Sequence, residues 1–474
     1  NYFAGYVQDD IRVSRTLTVN LGIRWDMTTG RTESLNRQSV FNLKTLLLDY
    51  AGQNGYPTTL YDAPTKDFQP RVGLAWSPFG STRTAVRAGY GIYFVPPNSL
   101  GDAPFTDGPW QRSQSVYTSD NGITFPLRLQ DAVPPTDSTH AFVPGPTSNV
   151  SWLPRNYSDG YVQQWSVSIQ RELLPQTLVE VGYLGTKGTH LQMNSNLNQV
   201  PSALLGPGNA QSRRPYPTIG GISASYNPVG NSVYHALQAR FERRFHNVLA
   251  FQGAYTFSKS IDDASGILAF RAFGVTAVQD NYNLRAERSA SGFDTTHNLS
   301  WAFSWELPAG KGRKWLRDGG FLNGVLGGWN LAGMSTAVSG RPLVMTTAVN
   351  LTGSLGGGSR PMRLANGVLP GSTRSIDRWF DASAFAQPAA FTFGNDSRTE
   401  PQLRAPGAFS LAALLAKEFP LGEKVRLEFR SEWSNLLNHF NPGDPNTSIG
   451  NPAVGTITGG GGGRSILLAL RLHY

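Results

Sequence analysis

The side chains of this sequence able to do chemistry are few and far apart. Seven histidines, His140, His190, His235, His246, His297, His439 and His473, are scattered along it, with no HExxH motif and no close His/carboxylate spacing of the zinc-site kind. There is no cysteine, which excludes a disulfide framework, thiolate metal sites and a cysteine nucleophile. The run Gly459 to Gly463, followed by Arg464 and Ser465, lacks the Lys-Ser/Thr ending of a phosphate loop and reads as a flexible connection. Asp262 and Asp263 suggest calcium by type, but two adjacent carboxylates fall short of the roughly six to eight oxygens that ion takes. The sequence therefore assigns no catalytic residue, no cofactor and no metal.

What it offers instead is charge at period two. Arg426, Glu428, Arg430 and Glu432 alternate with Val425, Leu427 and Phe429, while Arg240, Glu242 and Arg244 alternate around Phe241. Arg87 sits similarly between Val86 and Ala88. Period two places such residues on one face of a strand, opposite the apolar ones. Functionally, these ladders line a permeation path or grip a polypeptide inside it. Structurally, they are charge pairs across neighbouring strands that keep a polar wall satisfied, and this second reading is the one favoured here.

The elements that must carry these faces are strands. The last residues, RSILLALRLHY, put Ile466, Leu468, Leu470, Leu472 and Tyr474 on one side and Leu467, Ala469, Arg471 and His473 on the other. That run is about the 9 to 11 residues a tilted strand needs to cross a bilayer. Six hairpins precede it. Their apolar rows begin at Leu17 to Trp25, followed by Val72 to Trp76 with Val86 to Phe94, and by Trp165 to Ile169 with Val179 to Tyr183. Leu237 to Phe245 with Leu249 to Phe257, Leu299 to Leu307 with Trp329 and Leu331, and Leu411 to Phe419 with Val425 to Trp433 complete the set.

Six hairpins and a single strand give about 13 strands. Connections within hairpins are short, whereas those between them are long; Met27 to Gln69 and Pro96 to Gly160 both read as loops. Short turns at one end and long loops at the other distinguish an outer-membrane barrel from a soluble sandwich. Aromatics agree: Trp25, Phe94, Trp165, Tyr183, Phe257 and Trp433 fall near the outer strand ends, and Trp76, Trp305, Phe419 and Tyr474 near the inner ones. No apolar run is long enough for a spanning helix, so any crossing must be by a barrel. The net charge of +9 is spread along the whole chain without a nucleic-acid-binding module, and no nucleic acid is expected as a partner.

The stretch YFAGYVQDDIRVSRTLTVNLGIRWD (Tyr2 to Asp26) resembles the repeating hairpin of TonB-dependent outer-membrane receptors, specifically the Oar-like branch. FQPRVGLAWSPFG (Phe68 to Gly80), VRAGYGIYF (Val86 to Phe94), QQWSVSIQREL (Gln163 to Leu173), VEVGYLGTKGTHL (Val179 to Leu191), ALQARFERRF (Ala236 to Phe245), AYTFSKSIDDAS (Ala254 to Ser265) and FRSEWSNLLNHFNPG (Phe429 to Gly443) are similar to the same family. The resemblance implies an all-β, antiparallel transmembrane β-barrel of roughly 22 strands filled by an N-terminal plug.

Residues 1–474 would then be one domain, the C-terminal part of that barrel, with long extracellular loops and short periplasmic turns. The odd strand count, the missing targeting signal and the lack of any plug-like or TonB-box stretch lead to the same expectation of a partial barrel. Implied partners are outer-membrane lipids and lipopolysaccharide, the plug, the TonB complex and an extracellular ligand, met by the loops at Pro96 to Gly160 and Arg341 to Gly407. The expected function is energised passage of that ligand through the bacterial outer membrane, with no enzymatic activity. A surface or adhesin-like barrel and a soluble secreted β-sandwich are the alternatives.

Overall fold

The computed structural model describes residues 1–80, 83–95, 107–108, 110, 113–114, 142–245, 248–266, 278–310, 313–316, 320–422 and 424–474. Its frame is a run of long strands: β1 (Tyr2–Arg12), β2 (Leu17–Thr28), β3 (Asp67–Trp76), β4 (Thr84–Val95), β5 (Gly160–Leu174), β6 (Thr177–Asn196) and β7 (Ile222–Phe245). They continue as β8 (Leu249–Asp262), β9 (His297–Glu306), β10 (Trp329–Val338), β11 (Ala408–Pro420), β12 (Arg426–Ser434) and β13 (Ser465–His473). Each pairs antiparallel with its predecessor, so one sheet takes all thirteen in chain order. All six expected hairpins form, and β13 follows alone. Among the described residues β1 and β13 each have a neighbour on one side only.

Connections divide by end, as expected. At one end lie 13–16, 77–83, 175–176, 246–248, 307–328 and 421–425; at the other lie 29–66, 96–159, 197–221, 263–296, 339–407 and 435–464. The tightest turn, Pro175-Gln176, uses a left-handed Gln176 with φ 61°. The exception at the short end is 307–328, which holds α1 (Phe321–Leu326), the one α-helix among the described residues.

Register settles which side chains share a face. Val19, Leu74 and Ala88 form one row, continued by Val167 and Tyr183; Leu331, Leu415, Ser431 and Leu468 form another. Many side chains of this apolar face stay exposed in mid-strand, as at Val167, Ile169, Val181 and Leu468 and to 68% at Leu470 in the adjacent row, while Leu74, Leu331 and Leu415 are half-buried and Ser431 is buried. On that face Gly185 lies opposite Trp165, and a Cβ there would stand 2.3 Å from the indole. Only glycine lets the ring cross the neighbouring strand.

The buried apolar clusters lie instead mainly in the long connections. Val40, Leu60, Tyr61, Leu153 and Tyr157 pack with Tyr226 of β7, while Phe41, Leu48, Val150 and Ile219 pack with Ile222 at its start. Leu343, Met345, Phe380, Phe385, Leu403 and Ile449 make a third cluster. A soluble sandwich buries its strand faces and exposes its loops; this chain does the reverse. The described parts of the segments read as loops are therefore folded caps. In the first, Ser39–Phe41 pairs with Leu48–Tyr50.

Two strands outrun the sequence reading. β6 has 20 residues and β7 has 24, about twice what crosses a bilayer. Their outer halves carry register shifts between Gly188 and Ser195 and lack a continuous apolar face, which is why periodicity locates β7 only from Leu237.

Candidate functional site

The face opposite the apolar rows carries the charge. On β12, Arg430 lies 2.8 Å from Glu432 and 3.5 Å from Glu428; on β7, Glu242 takes Arg240 and Arg244, each at 3.2 Å. The sequence reading paired these groups across neighbouring strands, but here the partners stand two residues apart on one strand. Across the neighbouring strands Arg430 faces Ala416 and Ala469, Glu242 faces Leu178 and Gln252, and Glu428 faces Glu418 on one side and Arg471 on the other. Arg426 reaches Glu418 at 3.5 Å and His473 reaches Glu428 at 3.3 Å, and these are the cross-strand contacts. Glu418 and His473 thus join a ladder in which they were not counted. Arg87 donates to the amide oxygen of Gln170 at 2.6 Å, a neutral partner. Most of these side chains are a quarter or more exposed, so each pair contributes at most about 1 kcal/mol.

Beside the ladder the same face is almost bare. Gly22, Gly73, Gly89 and Gly91 leave a recess of about 260 Å³ bordered by Asn20 and Arg71, whose guanidinium lies 4.8 Å from the Tyr93 ring centroid. The surface offers alternating charge, amides and backbone, with no nucleophile held by a base. Among the described residues no three His, Cys, Asp or Glu side chains are grouped to hold a metal.

At the long-connection end, polar groups are buried and bonded. Arg398, 1% exposed, pairs with Asp262 at the end of β8 and donates to Ser265 Oγ at 2.9 Å and to the Glu287 carbonyl at 2.7 Å. Arg360 pairs with Glu287, and Arg404 with Asp294 at 2.6 Å. Gln199 donates to the carbonyls of Gln279 and Gly356 at 2.8 and 2.9 Å. Three connections, 197–221, 263–296 and 339–407, are thereby locked together. Asp263, paired with Arg288 at 3.6 Å, belongs to this lattice too.

Two carboxyl pairs stand out at this end, Asp396 with Glu400 inside the lattice and Asp159 with Asp67 where β5 and β3 begin. Burial, reinforced by Glu400, pushes Asp396 up to about 8; burial, reinforced by Asp67, does the same to Asp159. Asp159 and Asp67 lie 92 residues apart and leave no local pattern, whereas Asp396 and Glu400 are only four residues apart and it is their burial that the sequence does not show.

Histidines scattered in the sequence gather with aromatics, in mid-strand at His235 and at the outer strand end at His297. Tyr183 and His235 are hydrogen-bonded at 2.7 Å, with Trp165 against the same imidazole, and Tyr255 and His297 repeat the 2.7 Å bond beside Phe257. His190 meets Tyr161 edge-on, and His439 meets Phe409. His140 and His246 lie outside the described residues, as does much of the loop Pro96 to Gly160.

Of the terminal-strand residues, Ile466, Leu468, Leu470 and Leu472 share a face and stand opposite Trp433, Ser431, Phe429 and Leu427; Tyr474 is fully exposed. No helix among the described residues is long and apolar enough to cross a membrane, which says nothing of crossing by strands.

A family model described as "Outer membrane beta barrel domain" matches residues 1–466. No curated protein matches the sequence. Among solved structures, the outer membrane transporter YddB from Escherichia coli is similar at 12% identity and TM-score 0.49, over 100% of this chain and 45% of that one. A mutant of the ferric enterobactin receptor PfeA from Pseudomonas aeruginosa is similar at 11% identity and TM-score 0.49, over 100% and 44%. The ferric-catecholate import receptor Fiu from Escherichia coli K12 is similar at 12% identity and TM-score 0.44, again over 100% and 44%. The chain spans less than half the length of each of these.

Proposed function

Because the chain belongs to the outer membrane β-barrel domain family, and so lies in the bacterial outer membrane rather than forming a soluble sandwich, we propose that it is the wall of an energised receptor. In this reading it is the C-terminal barrel portion of a TonB-dependent, Oar-like receptor. The polar face with Arg240, Glu242, Arg426, Glu428, Arg430, Glu432 and Arg87 lines the passage and meets a plug domain. The outer cap meets an extracellular ligand, with the segment 341–407 as the contact surface. TonB, acting through a plug, supplies the energy.

The observation that carries the reading is the cap. A barrel that only anchors a surface needs no buried ionic lattice joining three outer connections, whereas a receptor needs a rigid mouth above a polar wall. The partial-barrel reading is supported by the sheet itself. Thirteen consecutive antiparallel strands leave β1 and β13 running the same way, so their edges cannot close by antiparallel pairing.

The test uses the intact protein extracted from outer membranes and the purified periplasmic domain of TonB as probe. Saturable binding that is abolished by deleting the TonB-contacting segment supports energised transport. No binding overturns it and favours an adhesin-like barrel.

A further inference from the structure

We infer that the connection between β9 and β10 is an in-plane membrane anchor. Its helix α1 lies among the acyl chains of the inner leaflet, and Lys314 takes an anionic headgroup of that leaflet's phospholipids.

The argument starts from a lysine on the wrong face. Register sets Lys417 of β11 between Trp329 and Phe429, in a row that is otherwise apolar and turned to lipid. An ammonium there is costly in mid-bilayer and tolerable only near a rim. Lys417 is nevertheless only 5% exposed. Its Nζ donates to the Val325 carbonyl at 3.1 Å and to that of Gly324, and it lies 5.6 Å from the Trp329 ring centroid and 4.8 Å from that of Phe419. The Trp329 indole also donates to the Val325 carbonyl, at 2.9 Å. These carbonyls close the last turn of α1, where backbone oxygens have no partner within the helix and carry partial negative charge. Lys417 and Trp329 therefore clamp the helix onto the lipid side of the wall, at its short-turn end.

Clamped in this way, α1 leaves its apolar side chains outside. Phe321 is 85% exposed, and Leu322, Val325 and Leu326 are each about half exposed or more, as is Trp315 just before them. None enters a buried cluster. In water such a patch is unfavourable, but it is continuous with strand rows already in lipid. Six residues are too few to span, so the helix lies in the plane of the leaflet. Charge selects the headgroup. Exposed Lys314 sits 5.8 Å from the Trp315 ring, beside Arg313 in its pair with Glu306. A cation and an indole flanking an apolar helix match an anionic interface.

The test places a bimane fluorophore on Leu322→Cys in the intact protein, reconstituted in phosphatidylcholine vesicles containing phosphatidylglycerol. Brominated phosphatidylglycerol and brominated phosphatidylcholine are compared at equal mole fraction. The expected result is quenching by both lipids, with phosphatidylglycerol enriched about fivefold around the probe, the factor one lysine gives near an anionic surface. Lys314→Glu should erase that preference and keep the quenching. Lys417→Met should weaken the quenching by both; if it does not assemble, the Leu322 probe in the otherwise unaltered chain decides. Quenching by aqueous iodide instead, shielding from both iodide and lipid, or equal quenching by the two lipids overturns the proposal.

Discussion

An arginine placed at Val181 asks the apolar face directly whether it sits in hydrocarbon. Val181 is 45% exposed and stands in register between Ile169 and Ala239, so neither neighbour offers a counter-charge. It lies four residues beyond Thr177, the inner end of β6. With a rise of about 3.3 Å per residue and a tilt of about 45°, that is roughly 10 Å into an apolar band about 25 Å tall, close to the midplane. Arginine at that depth costs about 2 to 4 kcal/mol, or about 30- to 700-fold in the folding equilibrium. Leu21 is a poorer site, because Asp9 lies opposite it and would pair with the new guanidinium. The control is Gln238→Arg, on the opposite face and in register with Gly182 and Thr256. Heat-modifiable gel mobility and urea titration of the intact protein in vesicles measure both. Val181→Arg should lose assembled protein and Gln238→Arg should not; equal losses, or a larger loss at Gln238, would refute the assignment of faces.

Arg398→Ala strips the partner from buried Asp262 and should cost the cap about 3 to 5 kcal/mol, seen as faster proteolysis of the outer connections while the heat-modifiable wall persists. Unchanged cleavage would contradict the lattice. The raised acids Asp159 and Asp396 bind more protons folded than unfolded between their ordinary acid range near 4 and about 8, so cap stability should fall as pH rises through that window. Proteolysis should therefore accelerate toward pH 8, and less steeply in Asp396→Asn; a cap that tightens with rising pH would have the sign wrong. Arg430→Ala should change wall stability by no more than about 1 kcal/mol, because its pairs are partly solvated; a much larger loss in urea titration would contradict that weak coupling.

Strand order was legible because alternation is a local signal: Leu17 to Trp25 and Ile466 to Leu472 each show an oily side within one segment. The cap was not, because Arg398 meets Asp262 across 136 residues and Arg360 meets Glu287 across 73, separations that leave no mark in any window. The charge ladders were half legible. Their face could be read from period two, but not the partner: Glu242 takes Arg240 and Arg244 along its own strand, because the residues opposite it, Leu178 and Gln252, carry no charge, and that depends on register. Helix α1 was hidden for a different reason. Its six residues are too few for a 3.6-residue period to show, and what holds it is a lysine on another strand.

The most direct test of the central claim, that one face of this wall touches lipid and the other does not, is a nitroxide scan from Leu178 to Tyr183. The chain has no cysteine of its own to interfere. Spin labels introduced one at a time in the intact protein in vesicles should alternate, with collisions with dissolved oxygen highest at Val179, Val181 and Tyr183 and collisions with an aqueous nickel chelate highest at Leu178, Glu180 and Gly182. A flat profile, or oxygen maxima at the even positions, would contradict it.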